Sequence, residues 1–348
     1  MLLAEKMAND NMEEGTAQPP SKPRSRGLVL FSGGLDSILA ALVLREQGCY
    51  VEGLVFTSPF FGAGQARKSA ASIGLKLNVV DFSDDILSLV EHPKHGFGGA
   101  LNPCIDCHTR MILRAGERVR ELGWDFVATG EVLNQRPMSQ NRRSLTMVGA
   151  ECGVTDILVR PLSAKILDET EVEKKGLVDR EKLLAIEGRS RKEQQELARH
   201  FGLSNYPSSA GGCLLTEKLF ANKLGILRDR GQLRDRTAIE LLKLGRHFLL
   251  PGGARAMVGR NVSENERMRA LAADGAYFII RPIGVPGPTT LLEASASTED
   301  ITTAEKLCAA YSDKSAGDVR IRRFSGEHLL AETPTTPMAR EDARPWLL

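Results

Sequence analysis

Short apolar runs alternate with amphipathic stretches along the first part of the chain. Leu28-Val29-Leu30-Phe31 is apolar without interruption, the signature of a strand buried on both faces. Ile38 to Leu44 predicts a helix that ends near Gly48. Strand-like runs recur at Val51 to Phe56, Leu75 to Val80, Phe126 to Thr129 and Ile157 to Val159. Helical patterns fall between them, at Ala66 to Ile73 and Cys107 to Leu122, closed by Gly74 and Gly123. Strands alternating with helices predict an α/β fold with a doubly wound parallel sheet.

The texture then changes. Leu167 to Gly212 reads as mostly helical and polar, with its clearest helix at Lys192 to His200. Thr216 to Arg236 is charge-rich and reads as a link. Farther on, His247 to Leu250, a Pro-Gly-Gly turn and Arg255 to Val258 predict a hairpin. Tyr277 to Arg281 and Thr289 to Glu293 are further strand candidates. The expected organisation is a disordered polar tail at 1–26, an α/β domain at 27–216 and a basic linker at 217–240. A smaller α+β domain follows at 241–330, then a loose tail at 331–348. No internal repeat is present.

Composition adds limits. With 348 residues, 42% of them hydrophobic and 26% charged, the chain is an ordinary globular protein. The net charge of +2 excludes a global basic field. Residues 217–260 nevertheless hold ten Lys or Arg against four Asp or Glu, the nearest thing to a nucleic-acid footprint. There is no signal-peptide pattern and no apolar run of about 18 residues, so the expectation is a cytoplasmic protein without a membrane span. Six cysteines are too sparse for a disulfide scaffold, and clustered cysteines in a reducing compartment point to metal binding or catalysis.

Ser32-Gly33-Gly34-Leu35-Asp36-Ser37 stands between the first strand and the first helix. Glycines allow a tight turn and close approach of a ligand, and N–H groups at a helix start favour an anion. Ser32 and Ser37 add hydroxyls, and Asp36 is a candidate partner for Mg²⁺. A Walker A loop is excluded, because no Gly-Lys-Ser/Thr occurs. The loop resembles that of the PP-loop ATP pyrophosphatases, matched at Ser32, Gly33, Gly34, Asp36 and Ser37. The resemblance implies cleavage of ATP between its α- and β-phosphates, hence adenylation of an oxygen. It places ATP at Ser32 to Ser37, with Gly130 in the same pocket and the adenine near Leu54 and Phe56.

Asn102-Pro103-Cys104-Ile105-Asp106-Cys107-His108 sets two thiols before a helix, and a third stands in Ser209-Ala210-Gly211-Gly212-Cys213. From the residues alone, four readings stay open: a redox pair, a zinc site, an iron–sulfur cluster on three cysteines, or persulfide chemistry. Cys49, Cys152 and Cys308 are isolated and read as small buried residues. Asn-Pro-Cys-x-x-Cys after a PP-loop, with a later Gly-Cys, resembles the tRNA-thiolating enzymes. Asp125 to Glu131 and Arg160-Pro161-Leu162 are also similar to the MnmA 2-thiouridylases. The pattern is equally that of the TtcA and TtuA thiolases and of archaeal ThiI 4-thiouridine synthetases. Among these the resemblance favours a 4Fe–4S cluster on Cys104, Cys107 and Cys213.

The expected function is therefore an ATP-dependent tRNA thiouridine synthetase, with Cys104, Cys107, Cys213 and Asp36 catalytic. A persulfide thiolase without a cluster, and a PP-loop ligase acting on a small molecule, are the alternatives. The implied partners are tRNA and a sulfur donor, either a cysteine desulfurase or free sulfide, and a homodimer is allowed. Arg136, Arg142 and Arg143 lie in a polar stretch suited to RNA phosphates. Gly245 to Phe248 and Val258 to Asn265 resemble the RNA-binding domain of the NFACT family, which implies RNA contacts near Arg246, Arg260 and Asn261.

Overall fold

The computed structural model describes residues 24–207, 212–313 and 317–348. Most of the expected N-terminal tail, and the Ser209-Ala210-Gly211 part of the third-cysteine motif, lie outside the described residues.

The first domain is built on β1 (Arg26–Leu30), α1 (Leu35–Glu46), β2 (Tyr50–Thr57), α2 (Gly64–Ser72) and β3 (Leu77–Asp81). There follow α3 (Ser83–Glu91), α4 (Cys104–Glu121), β4 (Phe126–Thr129), α5 (Arg142–Glu151) and β5 (Leu158–Val159). The five strands are parallel, in the order β3-β2-β1-β4-β5. The α/β fold with a parallel sheet is thus the observed one. Strand order reverses between β1 and β4, and ligands of such sheets bind beyond the carboxyl ends of the strands at this point. The sheet buries apolar side chains on both faces. Val29, Phe31 and Val55 pack with α1 on one side; Leu28, Leu54 and Phe56 pack with α3 and α4 on the other.

The helices α3 and α5 are not apparent in the pattern of apolar positions. Asn141 starts α5 by accepting a hydrogen bond from Ser144 N, so a stretch that reads as a polar loop turns into a helix. In the span 167–212, expected to be mostly helical, helix among the described residues is limited to α6 (Glu171–Lys174), α7 (Lys192–His200) and a single 3₁₀ turn. Buried Val172, Val178, Leu183 and Ile186 tie the intervening loops to the core, and no helical repeat is needed to bury them.

The segment read as a linker holds α8 (Lys218–Asp229) and α9 (Arg236–Leu241). Phe220, Leu224 and Leu227 recur at spacings of four and three, a helical stripe, and are buried with Leu233 and Ile239 in the first domain's core. Charge on the outer face of α8 hid that stripe.

The second domain contains β6 (Arg246–Leu249), β7 (Arg255–Val258), α10 (Val262–Leu271), β8 (Tyr277–Ile283) and β9 (Thr290–Glu293). It ends with α11 (Thr298–Ala310), β10 (Val319–Ser325) and β11 (His328–Thr335). The strands form an antiparallel sheet in the order β11-β10-β8-β9-β7-β6. Helix α11 covers one face and α10 packs on the other. The end of the chain is not loose. Leu348 N donates to His247 O at 2.9 Å, Leu347 bridges to Phe248, and Ala343 is buried in the core. Ala343 and Trp346 supply the apolar contacts that pin it there.

Candidate active site

The glycine-rich loop leaves β1 at the strand-order reversal. Gly33 has φ +80°, and a Cβ there would lie 2.7 Å from the Ala66 Cα, so only glycine fits beneath α2. Ser69 Oγ donates to Gly33 O at 2.8 Å and fixes the turn. Ser32 Oγ accepts from Gly34 N at 3.3 Å, and Ser37 Oγ donates to Gly34 O at 2.8 Å. No side chain caps the start of α1, which leaves its positive end toward the loop. Gly130, just past β4, meets the loop from the other strand. A Cβ on it would stand 2.6 Å from the carbonyl carbon of Asp36 and from Ser37 N.

Asp36 is held by two side chains from distant segments. Gln135 Nε2 donates at 3.1 Å, and the Arg191 guanidinium reaches both carboxylate oxygens at 3.2 Å. Arg191 Nε and Gln135 Oε1 are buried without a partner, so donor and acceptor capacity is left over beside the loop. Leu54 and Phe56, by contrast, are only 2% and 5% exposed. Phe56 packs on Phe82, and both Leu54 and Phe56 belong to the core cluster beneath α3 and α4, with little surface open to a ligand.

The cysteines lie along the same carboxyl edge. Pro103 precedes α4, so Cys104 and Cys107 occupy the first turn of the helix, which starts three positions earlier than the apolar pattern predicts. Asn102 organises the approach: its Oδ1 accepts from Ala100 N at 2.9 Å and its Nδ2 donates to Cys104 Sγ at 3.1 Å. Asp106, buried between the cysteines, accepts from His95 N at 3.1 Å, and His95 Nε2 lies 3.2 Å from Glu151. Cys213 is anchored by the next residue, as Leu214 N donates to Phe60 O at 3.0 Å beyond β2.

All three thiols are free and half-buried. Burial pushes the Cys107 thiol well above 9.0, and the charges of Cys213 and Cys104 push it further. Burial raises Cys213 to about 11, with Cys104 adding to the rise. The three sulfurs therefore sit in one another's field. Among the described residues, no group of three or more His, Cys, Asp or Glu side chains is arranged to hold a metal ion.

One carboxylate joins the two halves of the site. Glu131 follows Gly130 and is 5% exposed. Its Oε1 is 3.1 Å from His108 Nδ1, next to Cys107 on α4, and its Oε2 accepts from Arg160 Nε at 2.9 Å and Thr129 Oγ1 at 3.1 Å. Burial alone would raise this carboxyl; Arg160 and His108 outweigh it and hold it at about 2, down from 4.5. The sequence offered one signal for Glu131: an acid just past an apolar strand, at the edge where such sheets bind ligands.

The RNA candidates are spread out. Arg136 and Arg143 are exposed, while Arg142 donates to Ile166 O at 2.9 Å. Arg246 lies over the Tyr311 ring at 5.0 Å. Arg260 is tied to Glu264, and the Asn261 side chain caps α10 by accepting from Glu264 N at 2.9 Å.

Comparison with known proteins adds two matches. Residues 23–174 match the family described as thiamine biosynthesis protein (ThiI). Residues 245–347 match the NFACT protein RNA binding domain. The first part of the chain is thus similar to the ThiI family and the last part to the NFACT RNA binding domain. A tRNA-specific 2-thiouridylase MnmA from Marinobacter nauticus is 32% identical over 35% of this chain and 35% of that protein. A tRNA sulfurtransferase from Desulfurococcus amylolyticus is 28% identical over 44% of this chain and 32% of that protein. The chain thus spans about a third of the length of these relatives. A solved 4-thiouridine synthetase–RNA complex with bound ATP has 18% identity, covers 62% of this chain and 52% of that one, and gives a TM-score of 0.35. No helix among the described residues is long and apolar enough to cross a membrane.

Proposed function

We propose that the chain is an ATP-dependent tRNA sulfurtransferase that makes a thiouridine, acting in the cytoplasm with its tRNA. One observation carries the reading. A continuous line of contacts runs from the nucleotide loop to the thiols: Asp36 to Gly130, Glu131 to His108, and His108 to Cys107 by covalent sequence. The glycine-rich loop and the cysteines thus lie at one edge of one sheet, an arrangement that supports adenylation and sulfur transfer at one site. The ThiI-type domain and the similar MnmA and sulfurtransferase proteins support it.

The start of α1 and the hydroxyls of Ser32 and Ser37 would receive the ATP phosphates, with Arg191 as a second cationic wall. A uracil carbonyl oxygen attacks the α-phosphorus, and the bond to the β-phosphate oxygen breaks to release pyrophosphate. The sulfur nucleophile then attacks the activated carbon and AMP leaves. Adenylation is required because a carbonyl oxygen is a poor leaving group and AMP a good one. Gly130 lets β4 close on the loop, and Glu131 fixes the start of α4 through His108.

Asp36 would hold Mg²⁺, which would neutralise charge on the departing pyrophosphate, once the Arg191 guanidinium that now reaches both its oxygens turns to the phosphates. A 4Fe–4S cluster would be held by Cys104, Cys107 and Cys213, but among the described residues they form no group arranged to hold a metal ion, so no step is drawn through it. The charge effects of Cys104 and Cys213 on Cys107 support a second reading, in which one thiol carries a persulfide and another closes a disulfide after transfer, which an external thiol reductant reopens. Incubation with ATP and unmodified tRNA tests the proposal. Release of AMP and pyrophosphate that depends on tRNA supports it; release of ADP and phosphate, or none, contradicts it.

A further inference from the structure

The sheet of the second domain presents an exposed cationic row. Arg322 on β10 pairs with Glu332 on β11 at one side and with Arg281 on β8 at the other. Arg320 and Phe324, two positions to either side of Arg322, point the same way, because side chains alternate along a strand. Val319 and Ile321 face the opposite way, into the core beneath α11. Arg281, Arg320, Arg322 and Phe324 therefore share one face, at the margin of the part that α10 covers, where Phe324 packs against that core.

Like charges directly opposite one another destabilise a sheet. Here a single carboxylate answers two of the guanidinium groups, since Glu332 pairs with both Arg320 and Arg322. Among the described residues Arg281 has no carboxylate partner and lies over the Phe324 ring at 5.3 Å. Arg281 is exposed, and the Arg320 side chain is 71% exposed. Phe324 pairs across the β10–β11 hairpin with Leu329, which is 52% exposed. A merely solvated strand face has no reason to set arginine against arginine beside an uncovered leucine.

We propose that this face binds single-stranded RNA. Phosphates lie on Arg281, Arg320 and Arg322, and a base stacks on the Arg281–Phe324 pair with Leu329 at its edge. Stacking on aromatic and guanidinium planes beside a positive track is how unpaired strands are held. A duplex would use the charges and leave the apolar part idle. The residues that the sequence favoured are engaged elsewhere: Arg246 on Tyr311, Arg260 on Glu264 and Asn261 in the cap of α10. The proposal rests on the reading of the chain as an RNA-modifying enzyme and names where its second domain grips.

Fluorescence anisotropy of the full chain with a labelled single-stranded oligoribonucleotide, at several salt concentrations, tests it. Arg281→Ala with Arg322→Ala should weaken binding and lower the salt slope by about one for each phosphate contact removed. Phe324→Leu keeps an apolar side chain against the α10 core, so folding should persist. It should weaken binding about tenfold with little change in slope. Thermal melting of each variant checks that folding is kept. Wild-type affinity and slope in the folded double arginine variant would overturn the proposal. Displacement of the RNA by polyglutamate, which carries the same charge as a phosphate chain, would also overturn it, in favour of an acidic protein. If the wild-type chain binds neither the oligonucleotide nor tRNA, the RNA-enzyme reading falls as well, a result distinct from either of these.

Discussion

Arg191 grips both carboxylate oxygens of Asp36 at 3.2 Å, from a position 155 residues farther along the chain. The loop that would receive ATP is thus already cross-braced to the start of α7. The guanidinium has its Nε buried and unpartnered, so it has donor capacity left for a phosphate. Arg191→Ala should weaken ATP binding about tenfold or more, in line with the loss of a charge-assisted hydrogen bond. Arg191→Lys should restore part of it, because the charge returns without the fork. Isothermal titration with ATP decides; unchanged affinity in the alanine variant would remove Arg191 from the site.

Gly130→Ala should be disproportionately harmful. Its Cβ would meet the backbone of Asp36 and Ser37 at 2.6 Å, and backbone cannot rotate away. The expected cost is about 1–3 kcal/mol of stability from overpacking. The larger effect falls on nucleotide binding, as the loop must shift off α1. Denaturant titration and ATP affinity measured on one preparation separate the two effects.

Acid should weaken the first domain through Glu131. Its folded-state value of about 2 lies below the ordinary 4.5, so its contribution is fully present above about 4.5 and is lost as pH falls toward 2. Glu131→Gln removes that dependence. It also leaves Arg160, 11% exposed, without its carboxylate, at a cost of about 3–5 kcal/mol. Unfolding midpoints between pH 7 and pH 3 should fall less steeply in the variant than in the wild type. Parallel curves would show that Glu131 does not carry the charge the site requires.

Thiol reactivity should separate the cysteines. In the metal-free chain, burial and neighbouring sulfurs hold Cys107 well above 9.0 and Cys213 at about 11. Only the thiolate reacts, so iodoacetamide should label both slowly at pH 7.5 and faster as pH rises past 9. Cys308, fully buried and raised to about 12, should stay unlabelled until the chain unfolds. Mass spectrometry of the alkylated peptides provides the order. Rapid labelling of Cys107 at neutral pH would contradict the described environment.

The alternation of Leu28 to Phe31, Val51 to Phe56 and Phe126 to Thr129 with helical stretches was enough to predict the parallel sheet. Each of these runs is buried on both faces and leaves a continuous apolar trace. The hairpin at Pro251 to Gly253 was equally legible, because its turn residues are local. What escaped depends on contacts across the chain. Nothing near Arg191 tells of Asp36, and nothing near His108 tells of Glu131. Helix α8 was hidden by its charged outer face, while its apolar stripe reaches a core made mostly by earlier residues. The C-terminal segment read as loose because its anchors, Ala343 and Trp346, are few and widely spaced. In the second domain, nothing near Arg322 in the sequence tells that it stands opposite Arg281.

The measurement that bears most directly on the account is nucleoside analysis of a reconstituted reaction. Purified chain, prepared without oxygen, is incubated with unmodified tRNA, ATP, Mg²⁺ and sulfide, or with a cysteine desulfurase and cysteine. The tRNA is then digested and its nucleosides weighed. The account predicts a thiouridine, 16 mass units heavier than uridine as sulfur replaces oxygen, formed only with ATP and lost in Asp36→Ala and in Cys107→Ala. Unchanged nucleosides, in a preparation whose wild-type chain binds both ATP and tRNA, would contradict it.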